Sequence, residues 1–374
     1  MLFGRGGSMT KLNSRWLASL CHTRPDAKIE RNGSEETQRA RVSIARIPGV
    51  PVLPVAAAAM HASGAPDAPP IDRRIYGALE ASLRDSVEFV SSADNAEVIL
   101  CAHDASAQRA AARVIADRFG REGPAVFLHS ESDDVRPTAP VRGKVFRSSV
   151  LASRRRSHEE IATGCVPDLC AERPDGLPEW TPWLDRPTVG FVGHVARGLR
   201  SIAYLRRGWQ HYHGFTLRER VLRAFESSDA VLSRFTRRGT NLGPPMAGTD
   251  GDHLLRTMRR EYVASVFESS YALCIRGAGN WSYRFFEALS AGRIPVLIDT
   301  DCALPLERSI AWERHICRIP VGELERAPLL LAEFHHQLGP SGHAEIQRRN
   351  LALWQTTLCP ARFFLDAITE LGAA

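Results

Sequence analysis

The sequence predicts an α/β fold with parallel sheets, divided between two domains. Three observations predict it. Residues 271–300, YALCIRGAGNWSYRFFEALSAGRIPVLIDT, read as strand, glycine loop, helix and strand in immediate succession. Residues 97–149 repeat the same alternation of short apolar runs and helical patterns. Between these stretches, residues 166–187 are punctuated by Pro167, Pro174, Pro178, Pro182 and Pro187, as a domain connection would be. Strand–helix–strand alternation implies parallel pairing, because parallel strands need a crossover between them.

Size and composition fit this division. A chain of 374 residues exceeds one simple core. The expected units are a loose tail over 1–40, a first domain over 41–180 and a second over 181–374. Hydrophobic content of 44% and charged content of 24% are those of a globular protein. No apolar run approaches the ~18 residues of a membrane span. Val50 to Met60 is the most apolar segment, and Pro51 and Pro54 interrupt it. Arg5, Lys11 and Arg15 are followed by no apolar signal region, so no secretory leader is expected. Net charge is +6 and the pI about 9.0, carried by arginine, since lysine occurs only at 11, 28 and 144. This bias reads as composition rather than selection for a polyanion, so no nucleic-acid partner is expected. The eight cysteines are scattered without a C-x-x-C pair. Cys101, Cys274 and Cys317 fall in apolar runs as buried thiols, which points to a reducing, cytoplasmic compartment.

In chain order, the first strand is Val42 to Ile47, or Val50 to Ala56 beyond the Pro48-Gly49 turn. A helix fits Arg73 to Ser86, with Ile75, Leu79 and Leu83 at helical spacing. EVILC at 97–101 is a buried strand, followed by a helix from Ser106 to Phe119. Ala125 to His129 and Val145 to Ser149 are further strands. Polar residues at these strand ends (His103, Asp104, His129, Asp133, Asp134) stand where open α/β sheets place ligands. The second domain opens with a strand at Thr188 to Val192 and a loop at 193–198. Helices follow at Leu199–Gly208, Leu217–Ser227 and Glu261–Ser269, then the 271–300 unit, a strand at Ile316–Ile319, and helices at 322–337, 341–355 and 360–371. The runs Arg154-Arg155-Arg156 and Arg237-Arg238 read as solvated faces, with contact to an acidic acceptor or a membrane surface as a minor option.

The chemistry of the 276–292 segment follows from its residue types. A loop between a strand's carboxyl end and a helix's amino end collects free N–H groups and a positive dipole, which favours anions. Gly277 and Gly279 permit close approach and positive φ. Ser282 can cap the helix or contact a ligand. Arg276 and Arg284 flank the loop, and arginine's planar fork suits diphosphate. Glu287, five residues into the helix, is placed for ribose hydroxyls or for solvent.

The string CIRGAGNWSYRFFEALSAGRIPVLIDTDCALPL resembles the carboxyl-terminal segment of the exostosin-like glycosyltransferases, family 47. The shared elements here are Arg276, Gly277, Gly279, Ser282, Arg284, Glu287, Ala288, Leu289, Gly292, Ile294, Pro295, Val296, Asp299, Leu304 and Pro305, with Trp312 beyond. The likeness is specific over about 265–320, weaker over 185–210 and 95–150, and absent over 1–40. It implies a GT-B architecture, two Rossmann-like domains with parallel sheets facing across a cleft. It implies a nucleotide-sugar donor, UDP-linked by expectation, held mainly by the second domain without a divalent metal. Arg276 and the 277–282 loop would hold the diphosphate and Glu287 the ribose. The loop with Gly193, His194, Arg197 and Arg200 would approach from the other side.

The expected activity is inverting transfer of a hexosyl or glycuronosyl group to a glycan or glycoconjugate, as in polysaccharide biosynthesis or protein glycosylation, at the cytoplasmic membrane face. Inversion needs a general base from the first domain. Asp104 and Asp133 are the favoured candidates, with Asp134, His103 and His129 behind them. Asp299-Thr300-Asp301 spells D-x-D, yet it follows a strand and reads as a turn rather than a metal site. Trp281, inside the glycine loop, is a candidate wall of the donor site. Two rival readings are a non-catalytic nucleotide- or glycan-binding protein and a dinucleotide-dependent oxidoreductase. The absence of G-x-G-x-x-G after the first strand opposes the latter.

Overall fold

The computed structural model describes residues 143–163, 168–173, 176, 178–195, 213–238 and 249–372, the strand segments 41–44, 88–89, 98–102 and 125–130, and residues 117 and 135. The first sheet contains β1 (Arg41–Ile44), β2 (Glu88–Phe89), β3 (Val98–Ala102), β4 (Ala125–Ser130), β5 (Gly143–Arg147) and β6 (Glu159–Ile161), in the order β2-β1-β3-β4-β5-β6. Every pairing in it is parallel. The second sheet contains β7 (Thr188–His194), β8 (Leu232–Arg238), β9 (Tyr271–Cys274), β10 (Ile294–Asp299) and β11 (Cys317–Pro320), in the order β11-β10-β9-β7-β8. It too is parallel throughout. In both sheets the chain's second strand lies outside its first, and its third lies on the first strand's other side. This is the doubly wound order, with a switch point between first and third strands. In the second sheet that point lies between β7 and β9, where Val189 pairs with Tyr271 and Gly190 with Ala272.

The central strands β7, β9 and β10 of the second sheet are buried on both faces, as parallel strands are. Side chains alternate along its strands. Tyr271, Leu273 and Ile275 face one core with Val189, Phe191 and residues of α1 (His213–Glu226) and α4 (Ala327–Leu353). Ala272 and Cys274 face the other, with Phe285, Phe286, Ala288 and Leu289 of α3 (Tyr283–Ser290). That second core also holds Phe363, Phe364 and Ile368 of α5 (Pro360–Gly372) and Phe146 and Ala162 of the first sheet's region. Helix α5 therefore packs on the first sheet, with Phe363 edge-on to Phe146 at 5.9 Å, although it ends the chain. Thr163 anchors the same crossing by donating to the Leu358 carbonyl at 2.6 Å.

Several expectations are refined. Helix α2 (Thr249–Phe267) is longer than the Glu261–Ser269 pattern suggests. The helices expected at 322–337 and 341–355 are joined in α4, which is kinked at Gly339 ahead of Pro340. Strand β8 is an addition. Its sequence LSRFTRR places Arg237 not as a solvated face but in ion pairs with Glu226 at 2.5 Å and Glu219 at 3.1 Å. The tail 1–40, the alternative strand at 50–56 and the helix expected at 73–86 lie outside the described residues, as does the one at 199–208. Cys274 and Cys317 are buried free thiols, each pushed up to about 12 by burial. Among the described residues no helix is long and apolar enough to cross a membrane.

Candidate functional site

The site forms at the carboxyl ends of β7 and β9, on either side of the switch point, and includes the loop following β9. Helix α3 starts at Tyr283 with Ser282 at its N-cap in extended backbone, and the Ser282 hydroxyl makes no capping bond. The helix ends at Ser290, and Gly292, just past the Ala291 C-cap, takes φ of 64° to turn the chain into β10. Positive φ among the described glycines falls at Gly143, Gly176, Gly292 and Gly339. Gly277 and Gly279 therefore do not use that freedom, contrary to expectation. A β-carbon on Gly277 would meet Arg218 Nη2 at 3.4 Å, an ordinary van der Waals contact.

Two loop N–H groups are spent internally. Gly277 donates to the Trp281 carbonyl at 3.2 Å and Asn280 to the Ser149 hydroxyl at 2.8 Å. Those of Ala278 and Gly279 make no hydrogen bond among the described residues. Arg276 reaches across to the Ala278 carbonyl at 3.1 Å. Arg284 donates to the Val192 carbonyl and lies over the Phe191 ring at 4.3 Å. Gly193 makes room for it, because a β-carbon there would stand 3.0 Å from Arg284 Nη2. His194 is buried, its ring edge-on to Phe215 at 4.8 Å.

One residue without a sequence signal ties the two strand ends together. Arg218 of α1 donates to the carbonyls of His194 at 3.0 Å, Arg276 at 3.1 Å and Ile275 at 3.4 Å. Its guanidinium satisfies the carboxyl ends of two neighbouring strands and puts positive charge beneath the loop. Gly214, also on α1, allows the helix to touch Gly277.

Glu287 is buried rather than solvated. Its Oε1 accepts from Arg259 at 2.9 Å and its Oε2 from the Tyr262 hydroxyl. Burial alone would raise the Glu287 carboxyl, but Arg259, Tyr262 and Arg284 together hold it below the usual carboxylate range. Arg259 and Tyr262 escaped sequence reading because they lie a turn apart on α2, far from the motif in the chain.

The D-x-D segment is a structural corner. Asp299 accepts from the Cys302 N–H at 2.7 Å and from Arg318 at 2.8 Å. Asp301, at φ 66°, accepts from the Ser153 N–H at 3.0 Å. Among the described residues no group of His, Cys, Asp and Glu is arranged to hold a metal. Trp281 packs on Tyr283 at 4.2 Å and against the α3 core, so it belongs partly to the interior. Asp104 and Asp133, the favoured bases, lie outside the described residues, as do Asp134, His103, Arg197 and Arg200. His129 lies in β4.

No family profile matches the chain. A stretch of 113 residues is 28% identical to Exostosin-1 of Drosophila melanogaster, covering 30% of this chain and 15% of that protein. The chain thus spans well under a fifth of that relative's length. Similar solved structures include TarM, at TM-score 0.37 and 8% identity over 74% of this chain and 55% of that one. They also include the calicheamicin glycosyltransferase CalG4, at 0.32 and 12% over 80% of each chain. An O-GlcNAc transferase mutant of Thermobaculum terrenum gives 0.41 and 12% over 90% of this chain and 69% of that one. The fold assignment rests on the strand order of the two sheets and not on these scores.

Proposed function

We propose that the chain is a GT-B glycosyltransferase of the exostosin-like type, transferring a sugar from a nucleoside-diphosphate donor. One observation carries the reading. At the switch point of the second sheet, the N–H groups of Ala278 and Gly279 and the Ser282 hydroxyl, beside Arg276 and Arg284, make no hydrogen bond among the described residues. The carboxyl ends of β7 and β9 beside these groups are cross-tied by Arg218. Doubly wound sheets bind ligands at this point, and unpaired N–H groups beside arginines select an anion.

The chemistry follows from charge. As the glycosidic bond breaks, the nucleoside diphosphate leaves with its electrons and gains negative charge. Arginines and the α3 amino end stabilise that charge without a divalent ion, each strong donor being worth ~3 kcal/mol of barrier. Glu287, kept ionised, accepts from ribose hydroxyls. A base from the first domain, Asp104 or Asp133 by the sequence reading, removes the proton of the attacking acceptor hydroxyl, which inverts the anomeric centre. The donor is uridine-linked and the acceptor a glycan or glycoconjugate in this reading, met at the cytoplasmic face of a membrane.

The test is titration of the full chain with UDP, GDP and ADP in chelator, then assay of their sugar conjugates for transfer and hydrolysis. Saturable binding of one diphosphate, lost in Arg276→Ala and Glu287→Ala with folding intact, is expected. No binding of any would overturn the proposal. Binding without turnover of any sugar conjugate would select the non-catalytic reading instead.

A further inference from the structure

The segment 168–173, between the two sheets in the chain, grips α3 in two places. The first grip is at the end of the helix. Leu169 N–H donates to the Ser290 hydroxyl at 3.2 Å, and the Cys170 thiol to the Ser290 carbonyl at 3.3 Å. Leu169 and Cys170 are buried with Tyr262, Val263 and Val266 of α2. The second grip runs through charge. Glu172 takes two hydrogen bonds from Arg259, at 2.6 and 2.9 Å, and Arg259 donates its remaining Nη1 to Glu287. Tyr262, one turn along α2, holds the other Glu287 oxygen, and the Arg259 guanidinium lies 5.2 Å from its ring centre.

The pattern is more specific than a structural ion pair requires. Each Glu287 oxygen receives one donor from α2, so two of the carboxylate's about four lone-pair sites are taken up by that helix. The bidentate grip of Glu172 fixes the guanidinium plane and hence the direction from which Glu287 is held. We propose that Glu172, Arg259 and Tyr262 are positioning residues that set Glu287 as a fixed acceptor for the donor's ribose hydroxyls, and that the interdomain segment 168–173 thereby controls ribose recognition. This rests on the donor-site reading above and assigns Glu172, outside the motif, a part in it. The charged and titratable groups around Glu287 are Arg259 and Tyr262 from α2, Arg284 on its own helix and Cys274 from β9. Glu172 acts through Arg259.

The experiment compares binding of ribonucleoside diphosphates with their 2′-deoxy and 3′-deoxy counterparts, and of inorganic pyrophosphate, to the full chain. The wild type should prefer the ribonucleotide over at least one deoxy form by ~10-fold or more, as loss of a charge-assisted bond predicts. Glu172→Gln, which keeps shape, should shrink that preference toward unity while pyrophosphate affinity is unchanged. Arg259→Met should make the preference fall as pH drops below neutral, because Glu287 then takes up a proton, and Arg259→Lys should restore part of it. A merely structural role would lower stability without touching the ribose preference. Preference unchanged in Glu172→Gln but lost in Glu287→Gln would overturn the relay and leave the donor site standing. Absence of any diphosphate or pyrophosphate binding to the wild type would overturn both.

Discussion

A β-carbon on Gly214 would stand 1.9 Å from the carbonyl oxygen of Gly277. The amino end of α1 and the loop after β9 therefore touch through backbone, and no side chain fits between them. Gly214→Ala must push the loop away by more than an ångström. Overpacking of this kind costs about 1–3 kcal/mol. The variant should unfold at lower denaturant and bind nucleoside diphosphate at least ~10-fold more weakly, the affinity loss reflecting displaced phosphate donors. Wild-type affinity and midpoint together would show that the helix and loop are not in contact.

Arg218 makes a second, separable prediction. Arg218→Met would leave the carbonyls of His194, Ile275 and Arg276 without this donor in a half-buried place. Unsatisfied buried acceptors cost roughly 1–3 kcal/mol. Arg218→Lys keeps the charge but cannot span two strands, so its denaturation midpoint should fall between wild type and Met. Donor affinity should follow the same order. A lysine variant as weak as methionine would mean that fork geometry, not charge, is what the loops need.

Asn280 couples the loop to the first sheet's region. Its N–H donates to Ser149, its side-chain amide donates to the Val150 carbonyl at 3.1 Å and the Asp301 carbonyl at 2.9 Å, and its Oδ1 accepts from Thr300 at 2.6 Å. A β-bridge between Leu151 and Cys302 lies alongside. Asn280→Ala removes the side-chain bonds, and about 2–3 kcal/mol should be lost in urea unfolding. Asn280→Asp should be worse, because a carboxylate oxygen would replace the amide donor and face two carbonyl oxygens. If Asp were tolerated better than Ala, these contacts would not exist in solution.

Most of the second domain was legible because its buried strands are nearly continuous apolar runs. The 271–300 unit appears as β9, loop, α3 and β10 within a residue or two. Strand β8 was not legible, because its alternating polar pattern hides arginines that pair with acids of the preceding helix. The motif residues Arg276, Ser282, Arg284 and Glu287 stand out by residue type and by the resemblance to the exostosin-like family. Arg218, Arg259, Asn280 and Glu172 do not, since each acts through contacts between elements distant in sequence, and no local period marks such contacts. The doubly wound order, which brings the carboxyl ends of β7 and β9 together, is likewise a property of pairing and not of any one segment.

Acid should destabilise the fold through three buried histidines. Burial lowers His335, His315 and, with help from His335 and Arg293, His343, which reaches about 4. His335 is locked as one tautomer, its Nε2–H donating to the Leu184 carbonyl at 2.7 Å and its Nδ1 accepting from Tyr271 at 2.9 Å. A proton on Nδ1 would oppose that donor. The folded value lies below the ordinary one near 6.5, so the unfolded chain takes up protons first as pH falls. Stability from His343 is therefore complete above about pH 6.5 and lost toward pH 4. His343→Leu isolates this group. Among the described residues its Nε2 has no hydrogen-bond partner, and Gln347, which loses its 3.3 Å contact with His343 Nδ1, keeps its bond to the Thr181 carbonyl at 3.0 Å. The variant should show a shallower fall in unfolding free energy between pH 7 and 4.5 than wild type, by urea denaturation at each pH. An identical slope would mean that His343 is not held neutral by burial.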